Sequence, residues 1–311
     1  MPKEKKISVI DIGGNSTVLL VAECDNMNIE PVNEVYAVTR LCEGLDETGM
    51  LSSKSMDLTL TALKEMKKIS DYEGADELVV TVSSVIKKAG NRSEFLVRCH
   101  NELNIFPQVL SPTDEARYSF LGSVYDLKDD GPMIAIDVGG GDTQIAYGTK
   151  NIMVGAHSLN IGCVSLNAKF KLSEGAWIHN WLSAKMHIKK CLFSCVDDVN
   201  SWMMGRTPCV IASGGTATVY AAVLMKQNIY DRKHINSTKS YLKEVSATSR
   251  QISRTPLGKR RKFIGLDETR AEVLPAGLLI LSTFLKFFRL DEFRISANGL
   301  RFGIIRNYLK S

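Results

Sequence analysis

Asp11 and Asp137 each end an apolar run, and each is followed by glycines, in VIDIGGNSTVLL and in AIDVGGGDTQIAYG. Laying Asp11 on Asp137 also lays Gly13 on Gly139 and Gly14 on Gly140, at a constant offset of 126 residues. A carboxylate at the end of a buried strand can orient water or hold a divalent cation. The glycines after it let the backbone approach a ligand closely, and successive N–H groups in such a turn form an anion-holding concavity. A third element, Gly214-Gly215-Thr216 in VIASGGTATVY, places free N–H groups of a helix start directly after a strand, a further anion-binding point. Alone, each motif is as ordinary as a hairpin turn. A carboxylate-plus-glycine hairpin opening both halves of the chain is what a duplicated phosphate-binding site requires.

The offset is too long for a solenoid repeat and suits two copies of a domain. Residues 7–12 and 18–23 alternate apolar and small or polar residues around a turn, the pattern of a hairpin. From Ser52 to Asp71 the residues Met56, Leu60, Leu63, Met66 and Ile69 share one helix face. A buried strand at 77–85, a helix capped by Asn91 or Ser93, a short strand at 108–110 and a helix capped by Ser111 or Thr113 complete the first half. DLKDDGP at 126–132 is the linker, and the second copy begins at Met133. After its hairpin the pattern is mostly helical to about residue 207. Strand, Gly-Gly and helix then follow at 209–225, a polar helical tract at 237–270, and an apolar helix at 276–288. Strands alternating with helices make the class α/β.

At 311 residues, 44% hydrophobic and 23% charged, the chain is long enough for two cores. A net charge of +5 suits an anionic ligand, and indicates neither a specific nucleic acid nor a membrane. The apolar stretch 273–288 is interrupted by Lys286 and falls short of the roughly 20 residues that span a bilayer. The basic N-terminus lacks an apolar signal-peptide core, so a cytoplasmic location is expected. Seven cysteines do not read as a disulfide framework; Cys191 and Cys195, read as sharing a helix face, are expected to be packing residues. The run Lys259-Arg260-Arg261-Lys262 reads either as a guide for a polyanion or as a solvated surface. Arg117 reads either as a site residue or as an ion-pair partner of Asp114 or Asp126, and the five histidines show no pairing.

In order along the chain, DIGGNS, TRLCEGLDETGMLS, SPTDEARYSFLG, IDVGGGDTQ, SLNIGCVSL, ASGGTAT, TRAEVLPAGLLIL and SANGLRFGII resemble the exopolyphosphatase and guanosine pentaphosphate phosphohydrolase family, in its short two-domain form. That resemblance implies two ribonuclease-H-like domains of the acetate kinase, heat-shock chaperone and actin superfamily with an inter-domain cleft. They would cover residues 1–125 and 126–298, with 299–311 packing back on the first. It implies that water attacks the terminal phosphoryl group of inorganic polyphosphate or a guanosine polyphosphate, assisted by Mg²⁺. Asp11, Gly13, Gly14, Asn15 and Ser16 match the first phosphate loop. Gly139, Gly140, Gly141 and Thr143 lie in the second with Asp137, and Gly214, Gly215 and Thr216 match the third. Arg40 and Lys87 match phosphate-contacting positions. Glu115 matches the carboxylate that activates water, and Glu115 and Asp137 would hold the metal.

Several positions depart from the family pattern. Gln144 replaces the usual glutamate after the second glycine run, and an amide positions water but takes no proton. Asp142 stands where serine is usual, two residues earlier. It is either a stand-in acid on the same strand face or a turn residue bonding local backbone. Lys87 and Ser165 replace arginines, and Phe302 replaces a glutamate. A phosphohydrolase, weakened by Gln144, is the first reading. A ligand sensor with an impaired catalytic site is the second, and a small-molecule kinase is the third. A homodimer is compatible with any of them.

Overall fold

The computed structural model describes residues 5–310 apart from 27, 129, 174–177, 228–230, 237, 261 and 267. It divides into two units, Met1–Gly122 with Leu300–Ser311, and Ser123–Gly299. In the first, apolar alternation builds an antiparallel hairpin, β1 (Lys5–Ile12) with β2 (Ser16–Asp25), and β3 (Asn28–Val38) pairs on its outer side. A short helix α1 (Leu45–Thr48) leads to α2 (Ser53–Tyr72). Ser52 caps α2 by accepting from Ser55 N at 3.1 Å, and Met56, Leu60, Leu63 and Met66 are its buried face. The chain then lays β4 (Glu77–Val82) parallel to β1. A 3-10 turn at Ser84–Lys88, α3 (Arg92–Leu103), β5 (Gln108–Val109) and α4 (Pro112–Ser123) follow. The sheet order is β3-β2-β1-β4-β5.

The second unit repeats this plan. It runs β6 (Met133–Val138), β7 (Thr143–Gly148), β8 (Met153–Leu159), helices α5 (Cys163–Phe170), α6 (Ile178–Leu192) and α7 (Val196–Met203), then β9 (Cys209–Ser213) and α8 (Gly214–Met225). Next come α9 (Arg232–Ile235), β10 (Lys239–Tyr241), α10 (Leu242–Arg254), α11 (Leu257–Arg260), α12 (Glu268–Ala271), α13 (Leu274–Phe287) and β11 (Glu292–Ile295). The sheet order β10-β11-β9-β6-β7-β8 is the first unit's order with one added antiparallel edge strand, β10. Both units are therefore ribonuclease-H-like. The last helix, α14 (Leu300–Tyr308), belongs to the first unit and packs on β1 and β3. Gly303 is required there because a Cβ would strike the backbone of Tyr118.

Four sequence expectations change. Each hairpin gains a third strand, β3 and β8, which lack a clear strand signature because nearly all their residues are exposed or half-exposed, leaving no clean apolar face. Among the expected linker residues, Leu127 is buried and Asp126 accepts from the amides of Asn236 and Asn298, so these two belong to the second unit. Asn91 precedes α3 without capping it; its side chain instead bonds both backbone groups of Leu51, at 2.9 and 3.0 Å. Cys195 sits in a 3-10 turn after α6 has ended, so it and Cys191 do not share a helix. All seven cysteines are free, and burial pushes the thiols of Cys24 and Cys99 up to about 11 and about 12. No helix among the described residues is long and apolar enough to cross a membrane.

Candidate functional site

In the first unit, Asp11 lies near the end of β1, opposite Thr81 of β4, whose hydroxyl approaches its carboxylate at 3.4 Å. Burial pushes the Asp11 carboxyl up to about 6; the Arg301 guanidinium pulls it down and the nearby Glu115 carboxylate pushes it further up. Glu115, in the first turn of α4, accepts from Ser83 Oγ at 2.9 Å, Ser84 N at 3.1 Å and Ser84 Oγ at 2.7 Å. Three donors hold that carboxylate in one orientation. Ser111 caps α4 by accepting from Asp114 N at 3.0 Å, which sets the helix start that carries Glu115. Arg117 pairs with Asp114 at 3.5 Å.

The first glycine loop, Gly13 to Asn15, turns its carbonyls toward the protein. Asn15 O accepts from Thr39 N and Arg40 N at 3.1 and 2.9 Å, and Gly14 O accepts from Cys42 N at 2.9 Å. Gly13 N closes the turn onto Ser16 O at 2.8 Å. The N–H groups of Gly14 and Asn15 meet no backbone acceptor among the described residues, which leaves them for an anion. Arg40 is thereby tied to this loop; its side chain is exposed and pairs with Glu43 at 3.2 Å. Lys87 is exposed on the 3-10 turn that also presents Ser84 to Glu115.

The second unit repeats the construction. Gly139 O accepts from Cys163 N at 2.9 Å, and Gly140 O accepts from Val164 N at 2.9 Å and Ser165 N at 3.1 Å, so the start of α5 holds the loop's carbonyls. Ser165, in place of the family's arginine, donates from Oγ to Gly141 O at 3.2 Å. Gly162 must be glycine, because a Cβ would meet the Gly140 backbone. The N–H groups of Gly140 and Gly141 meet no backbone acceptor among the described residues. Asp137, near the end of β6, lies against Gly214, which has φ +77° and no room for a Cβ beside that carboxylate. Ser213 Oγ approaches Asp137 at 3.4 Å.

Strand register adds a row of side chains that no spacing in the sequence reveals. Ser213, Asp137, Gln144 and Ser158 stand opposite one another across β9, β6, β7 and β8, on one sheet face. The matching row in the first unit is Thr81, Asp11, Val18 and Tyr36. Gln144 thus faces Asp137 directly, where the first unit has an apolar Val18. Asp142 lies in the loop rather than on β7, so it does not share the strand face of Gln144. Its backbone carbonyl accepts from Gly139 N at 3.0 Å, and its carboxylate accepts from Ser158 Oγ at 3.1 Å. The carboxylate reaches the row through Ser158.

Other expected residues are placed differently. Thr143 is buried and donates to Ile161 O at 2.6 Å, and Thr216 is buried and donates to Val138 O at 2.8 Å, so neither hydroxyl faces a ligand. The amide of Thr216 remains in the first turn of α8 with those of Gly214 and Gly215. Phe302 is a core residue of the first unit. In the basic run, Arg260 is fully buried and donates to the carbonyls of Thr255, Ala271, Glu272, Ser173 and Ser253, a clamp on surrounding loops rather than a surface for polyanions. Burial lowers its pKa, opposed by Glu272. Arg261 lies outside the described residues.

Sequence reasoning missed Thr81, Ser83, Ser84, Ser158, Ser213, Arg270 and Arg301. The Arg270 guanidinium lies 2.9 Å from where a Cβ on Gly215 would be, against the third loop. Arg301 ion-pairs Glu34 at 3.5 Å, and its buried Nε has no hydrogen-bond partner among the described residues, a donor that an ordered water or ligand oxygen would satisfy. Among the described residues no three His, Cys, Asp or Glu side chains gather as a metal cage. Mg²⁺ needs none, since one or two carboxylates with substrate phosphates and waters suffice. Half-buried oxygen donors at Asp137, and a carboxylate pair at Asp11 and Glu115 that crowds negative charge, fit such an ion.

Each ribonuclease-H-like unit thus carries a strand-end carboxylate beside a glycine turn with open amides. The chain belongs to the Ppx/GppA phosphatase family, whose model matches residues 20–311. It is similar to a bifunctional 3-dehydroquinate synthase/phosphatase of Fusobacterium nucleatum, 28% identical over 95% of this chain, and spans 45% of that relative's length, about half. It is 23% identical to exopolyphosphatase 2 of Mycobacterium tuberculosis, over 96% of this chain and 97% of the relative. Its fold matches the crystal structure of the Aquifex aeolicus Ppx/GppA family member with TM-score 0.87 at 26% identity, covering 99% of this chain and 98% of the other.

Proposed function

We propose that this protein is a phosphohydrolase that releases terminal phosphate from inorganic polyphosphate or a guanosine polyphosphate, with the glycine loop of each unit acting as a phosphate cradle. The observation that carries this reading is the repeated loop: in each unit a carboxylate near the end of the central strand stands beside a glycine turn whose carbonyls bond the protein and whose N–H groups stay open. The amides of Gly14, Asn15, Gly140, Gly141 and the α8 start bind phosphate oxygens, with Arg40, Lys87 and Arg270 adding positive charge.

Glu115, oriented by Ser83 and Ser84, positions the attacking water and takes its proton. The water oxygen forms the new bond to the terminal phosphorus as the bridging P–O bond breaks, and the shortened chain leaves as a phosphate oxyanion. In the second unit Gln144 can hold a water by hydrogen bonds, and Asp142, linked through Ser158, supplies a carboxylate near it. Asp137 in the second unit and Glu115 in the first each offer carboxylate oxygens that would suit Mg²⁺, which when bound offsets phosphate charge.

Gln144 opposite Asp137 favours a second reading, in which the chain binds such ligands and turns them over too slowly to matter. Phosphate release from medium-chain polyphosphate and from guanosine pentaphosphate, with excess Mg²⁺ and beside calorimetric binding, separates the two. Release names the substrate; tight binding without release over hours selects the sensor and sinks the hydrolase.

A further inference from the structure

Helices α5 (CVSLNAKF), α6 (IHNWLSAKMHIKKCL) and α13 (LPAGLLILSTFLKF) of the second unit carry no acidic residue. A fourth, α10 (LKEVSATSRQISR), carries one, Glu244, which is engaged at its own helix start by Ser240 Oγ at 3.0 Å and Tyr241 N at 3.2 Å. α13 packs against α5, α6 and α10, and against α8, which has no charged side chain. Eight cations lie on the four helices: Lys169, Lys185, Lys189, Lys190, Lys243, Arg250, Arg254 and Lys286. With Glu244 that makes +7, more than the +5 of the whole chain, so everything else together is −2.

α6 and α10 both pack on α13, and these helices carry four of the charges: Lys185 and Lys189 one turn apart on α6, Lys286 on α13 and Arg250 on α10. Lys185 is half-buried, and after burial itself the cations Lys286, Lys189 and Arg250 lower its pKa. None of the four has an ion-pair partner among the described residues. Lys189 and Lys286 sit in last turns and gain from helix dipoles, but a helix end supplies only about half a charge and leaves a positive excess. Like charges gathered against their own repulsion fit a multivalent anion. A single phosphate at a built pocket would call for converging hydrogen bonds, whereas cations spread over three helices suit an extended chain.

Position relative to the third loop sets the length of that chain. Gly277, near the start of α13, packs against Thr216 of the loop, and Lys286 lies nine residues on, roughly 14 Å along the helix axis. We propose that the seam of Lys185, Lys189, Lys286 and Arg250 is a second anion site that binds a distal stretch of long inorganic polyphosphate. The proposal rests on the phosphate-chain reading of the loops. It makes the seam a determinant of chain-length preference, since a ligand of a few phosphates engages the loops alone.

The test compares wild type with the triple variant Lys185→Ala/Lys189→Ala/Lys286→Ala, with fluorescently labelled long-chain polyphosphate followed by anisotropy across a salt series. Tripolyphosphate binding by calorimetry and tripolyphosphate hydrolysis serve as controls, with the melting temperature as a check on folding. The expected result is long-chain affinity weakened about tenfold or more, and a log-affinity against log-salt slope shallower by about 2, because each phosphate neutralised on a single-stranded polyanion adds about 0.7 to that slope. Tripolyphosphate binding and turnover stay unchanged. Unchanged long-chain affinity overturns the seam, as does an equal loss for both lengths. An oligothymidylate bound as tightly, with the same loss, reassigns the seam to nucleic acid and also overturns it. A wild type that binds long chains through the seam yet releases no phosphate sinks the hydrolase reading and leaves the seam standing.

Discussion

Gln144 stands directly opposite Asp137, and its amide cannot accept a proton. If the rest of the site is competent, Gln144→Glu raises phosphate release about tenfold or more, within the usual range for a positioned base. Asp142→Asn lowers release in wild type and costs little in the Gln144→Glu background, because the restored glutamate no longer depends on the Ser158-held carboxylate. Steady-state rates of the four forms check both statements. Asp11 gives a pH signature. Its carboxyl is raised to about 6 in the folded protein, so its contribution to stability is full below about 4 and is lost as pH rises through about 6. Asp11→Asn is therefore more stable than wild type at pH 8 by up to about 3 kcal/mol, and the gap closes toward pH 4; urea midpoints across that range check it. Asp11, Asp137 and the glycines could be found from residue type and spacing. Thr81, Ser213 and Ser158 could not, because only strand register puts them beside a carboxylate.

At the level of elements, the glycines divide into those with room where a Cβ would go and those that hold the loop in place. A Cβ on Gly140 meets only Val164 Cγ2, at 3.5 Å, whereas one on Gly162 strikes the Gly140 backbone. Gly140→Val consequently leaves the melting temperature nearly unchanged and abolishes phosphate-chain binding, while Gly162→Ala destabilises by about 1 to 3 kcal/mol through overpacking. Calorimetry on both variants separates the two roles. Arg260→Ala leaves five carbonyls without their donor and a cavity behind, and costs on the order of 2 to 4 kcal/mol in chemical denaturation. The hairpins, α2 and α13 announce themselves through strong periodicity. β3 and β8 do not, since a half-exposed strand such as NIEPVNEVYAV has no clean apolar face. Arg260 was hidden in a run of like charges, where a buried clamp and a solvated lysine look alike.

Across the whole molecule, one plan is used twice: the order β3-β2-β1-β4-β5 returns as β8-β7-β6-β9-β11, and the offset between Asp11 and Asp137 is its trace in the sequence. The two copies have diverged in the side chains around the shared plan. The first carries the three-donor cradle of Glu115 beside Asp11, and the second carries the polar row of Asp137, Gln144 and Ser158 and the cationic seam. Duplication and family membership could be read from motifs in order along the chain, but the loop amides left open in each copy emerge only from the folded backbone. The central claim is that the ligand bound by these loops is hydrolysed by a water under Glu115. Its most direct measurement is phosphate release by Glu115→Gln beside wild type, on medium-chain polyphosphate and guanosine pentaphosphate with Mg²⁺, with binding measured in parallel. The account predicts binding retained and release down by about a hundredfold or more. Release at the wild-type rate would contradict it.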